Sequence, residues 1–352
     1  LQVLRDGPFE TLTRAQGLPT DDLTVVQRGP DERLWVGTTD SGVFVWDDAV
    51  TRRLTVAEGL GPGPVRSLAT DTGETVFITT ASGITEVTGE RLRFTGVRDW
   101  QRRPLHTSTP ARAGGLWVAF GGGALKRFEN GQLHDVDRAI ARTRESSPIY
   151  EDRRGALWLV RPDGTVATFR AGRLEPVELA SQEVRSFFED REGRVWIGMQ
   201  DAVAVFSNGG WRTWTPGEGL PLRNVSQWVE IDDALWIAGA NGIVKIPRPA
   251  LRAFVEGANV APAFVRYGRA DGLGSLEFSR HRGAVELRGR LWFPTRRGLA
   301  VADPKFRPAS QAPLQVVFER FEINGVAHDP LAAVVRAPKG EGAIHVAFTA
   351  PS

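Results

Sequence analysis

One pattern constrains the fold of this chain more than any other. A short apolar segment that ends in an aromatic residue recurs at Trp35, Phe77, Trp117, Trp158, Trp196, Trp236 and Trp292, at intervals of 42, 40, 41, 38, 40 and 56 residues. A period of about 40 residues with alternating apolar strands is typical of the four-stranded blades of a propeller. The repeat therefore predicts an all-β fold, a seven-bladed β-propeller.

Two kinds of turn accompany the aromatic strands. The segments Asp152-Arg-Arg-Gly155 and Asp190-Arg-Glu-Gly193 lie just before Trp158 and Trp196. A small residue follows each aromatic position six or seven residues later, at Gly42, Gly83, Gly123, Gly164, Ala202, Gly242 and Gly298. We expect glycine there because tight strand connections often need a positive φ. Each repeat is thus a strand, an aspartate turn, the aromatic strand, a glycine turn and two further strands.

The connections between repeats carry a third motif, which begins at Gly17-Leu-Pro, Gly59-Leu-Gly-Pro and Gly219-Leu-Pro. Together with Asp-x-x-Gly-x-Leu-Trp, these connections resemble the two-component regulator propeller (Reg_prop) family. The last repeat, Asp271–Phe278 with Gly289–Phe293, resembles the closing repeat of that family. Its longer interval comes from an insertion at residues 249–269.

The two ends of the chain differ from the repeats. Residues 1–13 are predicted to be N-terminal strands that close the ring, or the end of an upstream propeller. Residues 14–308 are predicted to form the propeller itself. Residues 313–352 contain two strand patterns that resemble the start of the triple-tyrosine (Y_Y_Y) β-sandwich that follows such propellers. Because about 40 residues cannot complete a sandwich, we expect a truncated domain there.

Composition excludes several kinds of chemistry. The formal net charge is only +2, so the composition gives no sign of a basic surface that would bind nucleic acid. Cysteine is absent, and the five histidines lack the spacing of zinc ligands, so we predict no metal and no cofactor. No apolar stretch reaches the ~18 residues of a membrane span. We expect membrane attachment only through a segment outside this chain.

Propeller geometry predicts where a ligand would bind. The loops between second and third strands, and those between successive repeats, share one face around the central channel. The first set of loops carries Arg161, Gln200, Asn241 and Arg296, and the second carries Arg144, Arg223, Asn224, Arg280 and His281. Guanidinium groups suit carboxylates, phosphates and sugar hydroxyls. These residues are the predicted binding site for a small molecule or carbohydrate, and no residue is predicted to be catalytic.

The family resemblance implies a non-catalytic, ligand-sensing ectodomain of a membrane-anchored signal-transduction protein. Such a protein would expose the propeller on the periplasmic or extracellular side of a bacterial inner membrane and act as a homodimer. A kinase, cyclase or DNA-binding output domain would lie beyond the carboxyl end. Two alternatives remain: a propeller enzyme of the polysaccharide lyase, glycosidase or streptogramin lyase type, with an acid or histidine pair in the channel, and a protein-docking platform with an apolar patch.

Overall fold

The chain divides into two compact units, Leu1–Phe306 and Arg307–Ser352. A computed structural model describes residues 7–70, 74–97, 102–145, 147–179, 183–207, 210–231, 234–257, 261–279, 283–306, 317–328 and 343–349. The described part of the first unit contains seven four-stranded antiparallel sheets.

The first four sheets each contain four strands that follow one another in the chain. The strand before them, β1, spans Phe9–Leu12 and belongs to the last sheet. Sheet 1 contains β2 (Leu23–Arg28), β3 (Leu34–Thr38), β4 (Val43–Trp46) and β5 (Val50–Leu54). Sheet 2 contains β6 (Val65–Thr70), β7 (Val76–Thr80), β8 (Gly83–Thr88) and β9 (Arg91–Gly96). Sheet 3 contains β10 (Leu105–Pro110), β11 (Leu116–Phe120), β12 (Leu125–Glu129) and β13 (Gln132–Asp135). Sheet 4 contains β14 (Ile149–Glu151), β15 (Leu157–Val160), β16 (Val166–Arg170) and β17 (Arg173–Pro176).

Three further sheets complete the first unit. The last of them includes the strand from the amino end, and a helix lies between two strands of the sheet before it. Sheet 5 contains β18 (Val184–Glu189), β19 (Val195–Met199), β20 (Val203–Ser207) and β21 (Gly210–Trp214). Sheet 6 contains β22 (Arg223–Ile231), β23 (Ala234–Ala240), β24 (Gly242–Pro247) and β25 (Val265–Tyr267). Sheet 7 contains β26 (Val285–Leu287), β27 (Arg290–Thr295), β28 (Gly298–Ala302) and, outermost, β1. The helix α1 (Arg248–Glu256) connects β24 to β25.

The first strands of the seven sheets contact one another in a closed order. Each of β2, β6, β10, β14, β18 and β22 contacts the next first strand, and β26 contacts β2 again. The aromatic positions of the repeat all lie on the second strand of their sheets, where most are buried against neighbouring sheets. This all-β arrangement of four-stranded sheets around a common axis is consistent with a β-propeller.

Sheet 7 joins the two ends of the first unit. Strand β1 pairs antiparallel with β28, so that Phe9 lies opposite Ala302. The Phe9 ring is buried and makes edge contacts with Trp236 and Tyr267, and it also contacts Phe293. An outer strand from the amino end therefore completes the sheet that the carboxyl-terminal repeat begins.

The aspartate turn has a clear physical basis. In sheet 5 the Asp190 carboxylate accepts hydrogen bonds from the indole Nε1 of Trp196 at 2.8 Å and from the backbone N–H of Arg194 at 2.9 Å. Asp152 accepts the equivalent bond from Trp158 at 2.8 Å. The aspartate thus satisfies both the turn and the aromatic anchor, which explains why the two occur together.

The Gly-Leu connections follow short 3-10 turns that carry capping boxes. The backbone N–H of Thr55 donates to Glu58 Oε2 at 2.8 Å, and the Thr55 hydroxyl accepts from the N–H of Ala57. Gly59 then adopts a φ of 100°, and Leu60 is buried. The same arrangement recurs at residues 13–18. Residues 215–220 share the bond from the backbone N–H of the threonine to the glutamate, the left-handed glycine and the buried leucine. Each motif ends an outer strand and inserts a leucine into the core before the next sheet starts.

Positive φ does not explain every glycine of the second turn. Gly42 has a φ of 75°, as expected, but Gly83 is not among the positive-φ residues. A Cβ at Gly83 would lie 2.3 Å from the carbonyl oxygen of Thr95 on the outer strand, and one at Gly42 would lie 2.2 Å from that of Leu54. The close approach of the fourth strand is therefore the shared reason for glycine at these two positions.

The insertion at residues 249–269 contains an element that the sequence pattern did not predict. Helix α1 buries Leu251, Phe254 and Val255 in a cluster that includes Trp214 and Trp228.

Among the described residues, no helix combines the length and the hydrophobicity that a membrane crossing requires.

The second unit contains a three-stranded antiparallel sheet within its described residues. Its strands are β29 (Val317–Ile323), β30 (Val326–His328) and β31 (Ile344–Thr349), in the order β30-β29-β31.

Candidate functional site

A channel of about 700 Å³ is lined by residues on or beside the first strand of every one of the seven sheets. This volume lies within the range of about 300–1,000 Å³ that is usual for small-molecule sites. Because each first strand begins at the same end of the channel, side chains at equivalent positions of different sheets come together there.

A β-bulge near the start of the first strand recurs in five sheets. The residues at these bulges are Thr24, Arg66, His106, Arg185 and the segment 224–226. A bulge re-aims the side chain of the extra residue, and bulges are often found next to functional sites. Arg66, His106, Arg185 and Asn224 all line the channel. The bulges thus place a partial ring of polar side chains near the beginning of the first strands.

Hydroxyl groups next to the bulges connect neighbouring sheets. Ser108 Oγ lies 2.7 Å from Ser67 Oγ and 2.8 Å from Thr79 Oγ1. Ser186 Oγ donates to the carbonyl oxygen of Val225 at 2.8 Å and accepts from the indole Nε1 of Trp228 at 2.8 Å. These hydroxyls have partners within the protein, so the wall of the channel is polar and well connected.

On one side of the channel, the charge of Arg185 is compensated. Its guanidinium forms an ion pair with Glu183 at 3.0 Å and donates to Asn224 Oδ1 at 3.0 Å and to Gln200 Oε1 at 3.2 Å. The arginine therefore orients two amide side chains while its own charge is neutralised. Such a group could present amide hydrogen-bonding atoms to a polar ligand.

Arg66 has no such compensation. Its Nε is buried, and no group in the described residues accepts a hydrogen bond from it. Burial lowers the pKa of Arg66, although an arginine side chain stays charged at neutral pH. A buried unsatisfied donor costs about 1–3 kcal/mol, so this position requires an explanation.

His106 lies at the corresponding bulge of the next sheet, between Arg66 and an acid. Its Nε2 is 3.8 Å from Glu145 Oε1, and both residues line the channel. Burial lowers the pKa of His106 below 6.5, the positive charge of Arg66 lowers it further, and Glu145 opposes both effects. The imidazole is therefore neutral at pH 7.

Of the sequence-predicted site residues, Arg144 and Asn224 line the channel. Gln200 lies just outside this lining and connects to it, because its side chain accepts from Arg185 and its carbonyl accepts from the N–H of Asn224 at 2.7 Å. Arg223 forms an ion pair with Asp201 at 3.4 Å, and its side chain is 66% exposed.

Arg161, Asn241 and Arg296 do not line the channel. Arg161 lies 3.6 Å from Asp163 within its own turn. Asn241 and Arg296 are exposed in their loops. Arg280 and His281 lie outside the residues that the structure describes.

Arg66, His106, Arg185 and Glu145 line the channel but were missed by sequence reasoning, which searched the loops for ligand residues. A signal was present for the two arginines. Val65-Arg66-Ser67-Leu68 and Val184-Arg185-Ser186-Phe187 place an arginine and a serine at the same position of two repeats. Within the described residues, no group of three or more histidine, aspartate or glutamate side chains could hold a metal ion.

Comparisons with known proteins support the fold. The model of the family described as "Two component regulator propeller" matches residues 178–201. No curated protein matches the chain.

Solved structures match over most of this chain. An extracellular domain from B. thetaiotaomicron, assigned to a hybrid two component system, is 15% identical with a TM-score of 0.73, over 96% of this chain and 46% of that one. A second such domain from the same organism is 13% identical with a TM-score of 0.63, over 92% and 46%. The chain thus spans about half the length of these two domains.

An enzyme shares the same architecture. Virginiamycin B lyase from Staphylococcus aureus, solved with quinupristin as a catalytically inactive histidine-to-alanine variant, is 13% identical with a TM-score of 0.62, over 83% of this chain and 98% of that one. At these identities the likeness establishes the fold, which sensors and enzymes share.

Proposed function

We propose that this chain is the ligand-sensing ectodomain of a membrane-anchored signal-transduction protein, and that it binds a small molecule or oligosaccharide without chemical turnover. The observation that carries the proposal is the polar channel, in which Arg66 and the Arg185 group occupy equivalent bulges. The fold that the chain shares with extracellular domains of two-component systems supports it.

In this proposal the seven sheets are the blades of one closed propeller at residues 14–308, completed by the strand within residues 1–13. Residues 313–352 begin a triple-tyrosine sandwich that leads to the membrane and an output domain. The propeller faces the periplasm or the cell exterior, and two copies pair in the full-length protein. A ligand changes the output only if it binds one arrangement of the pair more tightly than the other.

A channel-filling variant tests the binding part of the proposal. Thr107 lines the channel, so Thr107→Trp would fill space that a ligand needs. Val56→Trp is a matched control, because Val56 is 62% exposed and absent from the channel lining. Calorimetry against neutral oligosaccharides and organic acids should show binding that Thr107→Trp removes and Val56→Trp preserves. Binding that survives Thr107→Trp in a folded protein would place the ligand elsewhere and contradict the channel proposal.

The signalling part needs the full-length protein. Ligand should change the yield of crosslinks between subunits close to the second unit. If a ligand that binds the channel leaves those crosslinks unchanged, the proposed pairing mechanism fails.

A second function, a lyase, is favoured by one observation. A neutral imidazole beside a carboxylate, as in His106 and Glu145, is suited to general acid–base chemistry. The shared architecture with virginiamycin B lyase gives this pair a specific test. Turnover of quinupristin that is abolished by His106→Ala would establish the enzyme and overturn the sensor proposal.

A further inference from the structure

We propose that the channel recognises an acid, and that a carboxylate of the ligand binds to Arg66 with His106 beside it. This inference rests on the proposed ligand-sensing function and specifies the chemical class of the ligand.

The first argument is the contrast between two arginines at equivalent bulges. Arg185 has an ion-pair partner in Glu183 and two amide acceptors. Arg66 lies on the first strand of another sheet with a buried Nε that lacks an acceptor. Burial lowers the pKa of Arg66, as expected for a guanidinium whose buried Nε lacks an acceptor within the described residues. The protein satisfies one bulge arginine and leaves the other available.

The second argument is the balance of charge on this side of the channel. Arg144 also lines the channel and forms no ion pair within the described residues. Glu145 is the one acid among the described lining residues of sheets 2 to 4, and its Oε1 lies 3.8 Å from Nε2 of His106. In this described part of the lining, two guanidinium groups and an imidazole therefore face a single carboxylate. The side of the channel formed by sheets 2 to 4 is electropositive, whereas Arg185 and Glu183 on sheet 5 neutralise each other.

The third argument is the chemistry of the donors. A guanidinium presents parallel N–H donors that match the two oxygens of a carboxylate. Partial burial strengthens this interaction, because less solvent screens it. His106 adds a donor N–H when neutral and a charge when protonated. The nearby hydroxyls of Ser67 and Ser108 bond to each other and do not compete for Arg66.

Histidine NMR provides a direct test. The imidazole resonances of His106 would be followed while sodium D-glucuronate, citrate or D-glucose is added at constant ionic strength and pH. We expect a saturable shift with at least one of the two acids and none with glucose. Arg66→Gln should weaken the acid binding at least tenfold, whereas Arg66→Lys, which keeps the charge, should retain part of it.

Arg173→Gln is the matched control. Arg173 is exposed on the outermost strand of sheet 4, and its loss changes the net charge by the same amount. This variant should bind the acids as the wild type does. Equal weakening in Arg173→Gln and Arg66→Gln would indicate general electrostatics and overturn the assignment to Arg66.

Two outcomes separate this inference from the sensor proposal. If neither acid shifts His106, or if Arg66→Gln leaves the shift unchanged, recognition of a carboxylate at Arg66 is wrong. The sensor proposal survives that result when a neutral oligosaccharide binds and Thr107→Trp blocks it. If Thr107→Trp blocks neither class of ligand, the channel itself is not the binding site.

Discussion

The indole Nε1 of Trp196 donates a 2.8 Å hydrogen bond to Oδ2 of Asp190, six residues earlier in the same sheet. Asp190 is completely buried and also forms an ion pair with Arg194 at 2.6 Å. Asp190→Ala would leave the buried indole N–H of Trp196 and the Nε of Arg194 without their acceptor. We expect the free energy of unfolding to fall by about 3–5 kcal/mol, as measured by urea denaturation.

The corresponding turn of sheet 1 provides the control for this prediction. Trp35 donates to Asp31 Oδ1 at 3.2 Å, but the Asp31 side chain is 37% exposed. Water can replace the lost acceptor there, so Asp31→Ala should cost only about 1 kcal/mol. Equal losses in the two variants would show that burial of the aspartate does not set the strength of the motif.

Phe9 should be essential to the stability of the first unit. Its ring is buried among aromatic residues of sheets 6 and 7, and its backbone belongs to the outer strand of sheet 7. Phe9→Ala should lower the free energy of unfolding by about 3–5 kcal/mol. Val56→Ala, at an exposed position, should change it by less than about 0.5 kcal/mol. A small effect of Phe9→Ala would mean that the closed circle of seven sheets is stable without this contact.

Arg185 and Arg223 both lie at the start of the first strand of a sheet, but their surroundings differ. Arg185→Gln removes the donor that orients Asn224 and Gln200 and leaves Glu183 unpaired. We expect this change to weaken ligand binding about tenfold or more, the value of roughly one charged hydrogen bond. Arg223→Gln removes only an exposed ion pair and should leave calorimetric affinity within about twofold. The opposite ranking would favour the loops over the bulges as the binding site.

The pH dependence of binding follows from His106. Its pKa in the free protein is below 6.5, and a bound carboxylate would raise that pKa. Affinity for acids should therefore rise as the pH falls from the His106 pKa of the complex to the lower His106 pKa of the free protein. Below that pH the affinity should level off. His106→Asn should remove this rise in calorimetric titrations between pH 7.5 and pH 5. An affinity that falls over this range in the wild type would contradict the assignment.

The same shift has a consequence for stability. Because the folded-state pKa of His106 lies below its unfolded value, the unfolded chain binds the proton more readily. The contribution of neutral His106 to the free energy of unfolding is fully present above about pH 6.5. It is lost as pH falls through the folded-state pKa. Arg66→Gln removes a charge that lowers this pKa, so NMR titration should show a higher pKa for His106 in that variant.

The sequence predicts much of the repeat because the repeat depends on local chemistry. The aspartate turns, the aromatic strands and the Gly-Leu connections each involve residues within a few positions of one another. Helix α1 was missed although Leu251, Phe254 and Val255 have helical spacing, because the strand pattern on either side led to the segment being treated as an insertion.

The channel could be predicted less well, for a physical reason. It is assembled from the first strands of seven sheets, and its polar ring depends on bulges that a strand pattern does not reveal. Arg144 was found because it lies in a loop. Arg66, His106 and Asn224 are each the second residue of a first strand, and of these the sequence predicted Asn224 alone. The charge of Arg185 is compensated by Glu183, two positions earlier in the same repeat, whereas Pro64 stands at the equivalent position before Arg66. This difference is visible in the sequence once the bulge positions are known.

The pairing of β1 with β28 also sets the order in which this molecule can be completed during synthesis. Sheets 1 to 6 contain only strands that are close in sequence, so they can form as the chain leaves the ribosome. Sheet 7 must wait until residues near Ala302 have emerged, while the strand around Phe9 stays without its partner. Closure of so long a loop is a slow, late event with a high contact order. Until then, the exposed edge at the amino end is the part of the nascent chain with the greatest need for protection against aggregation.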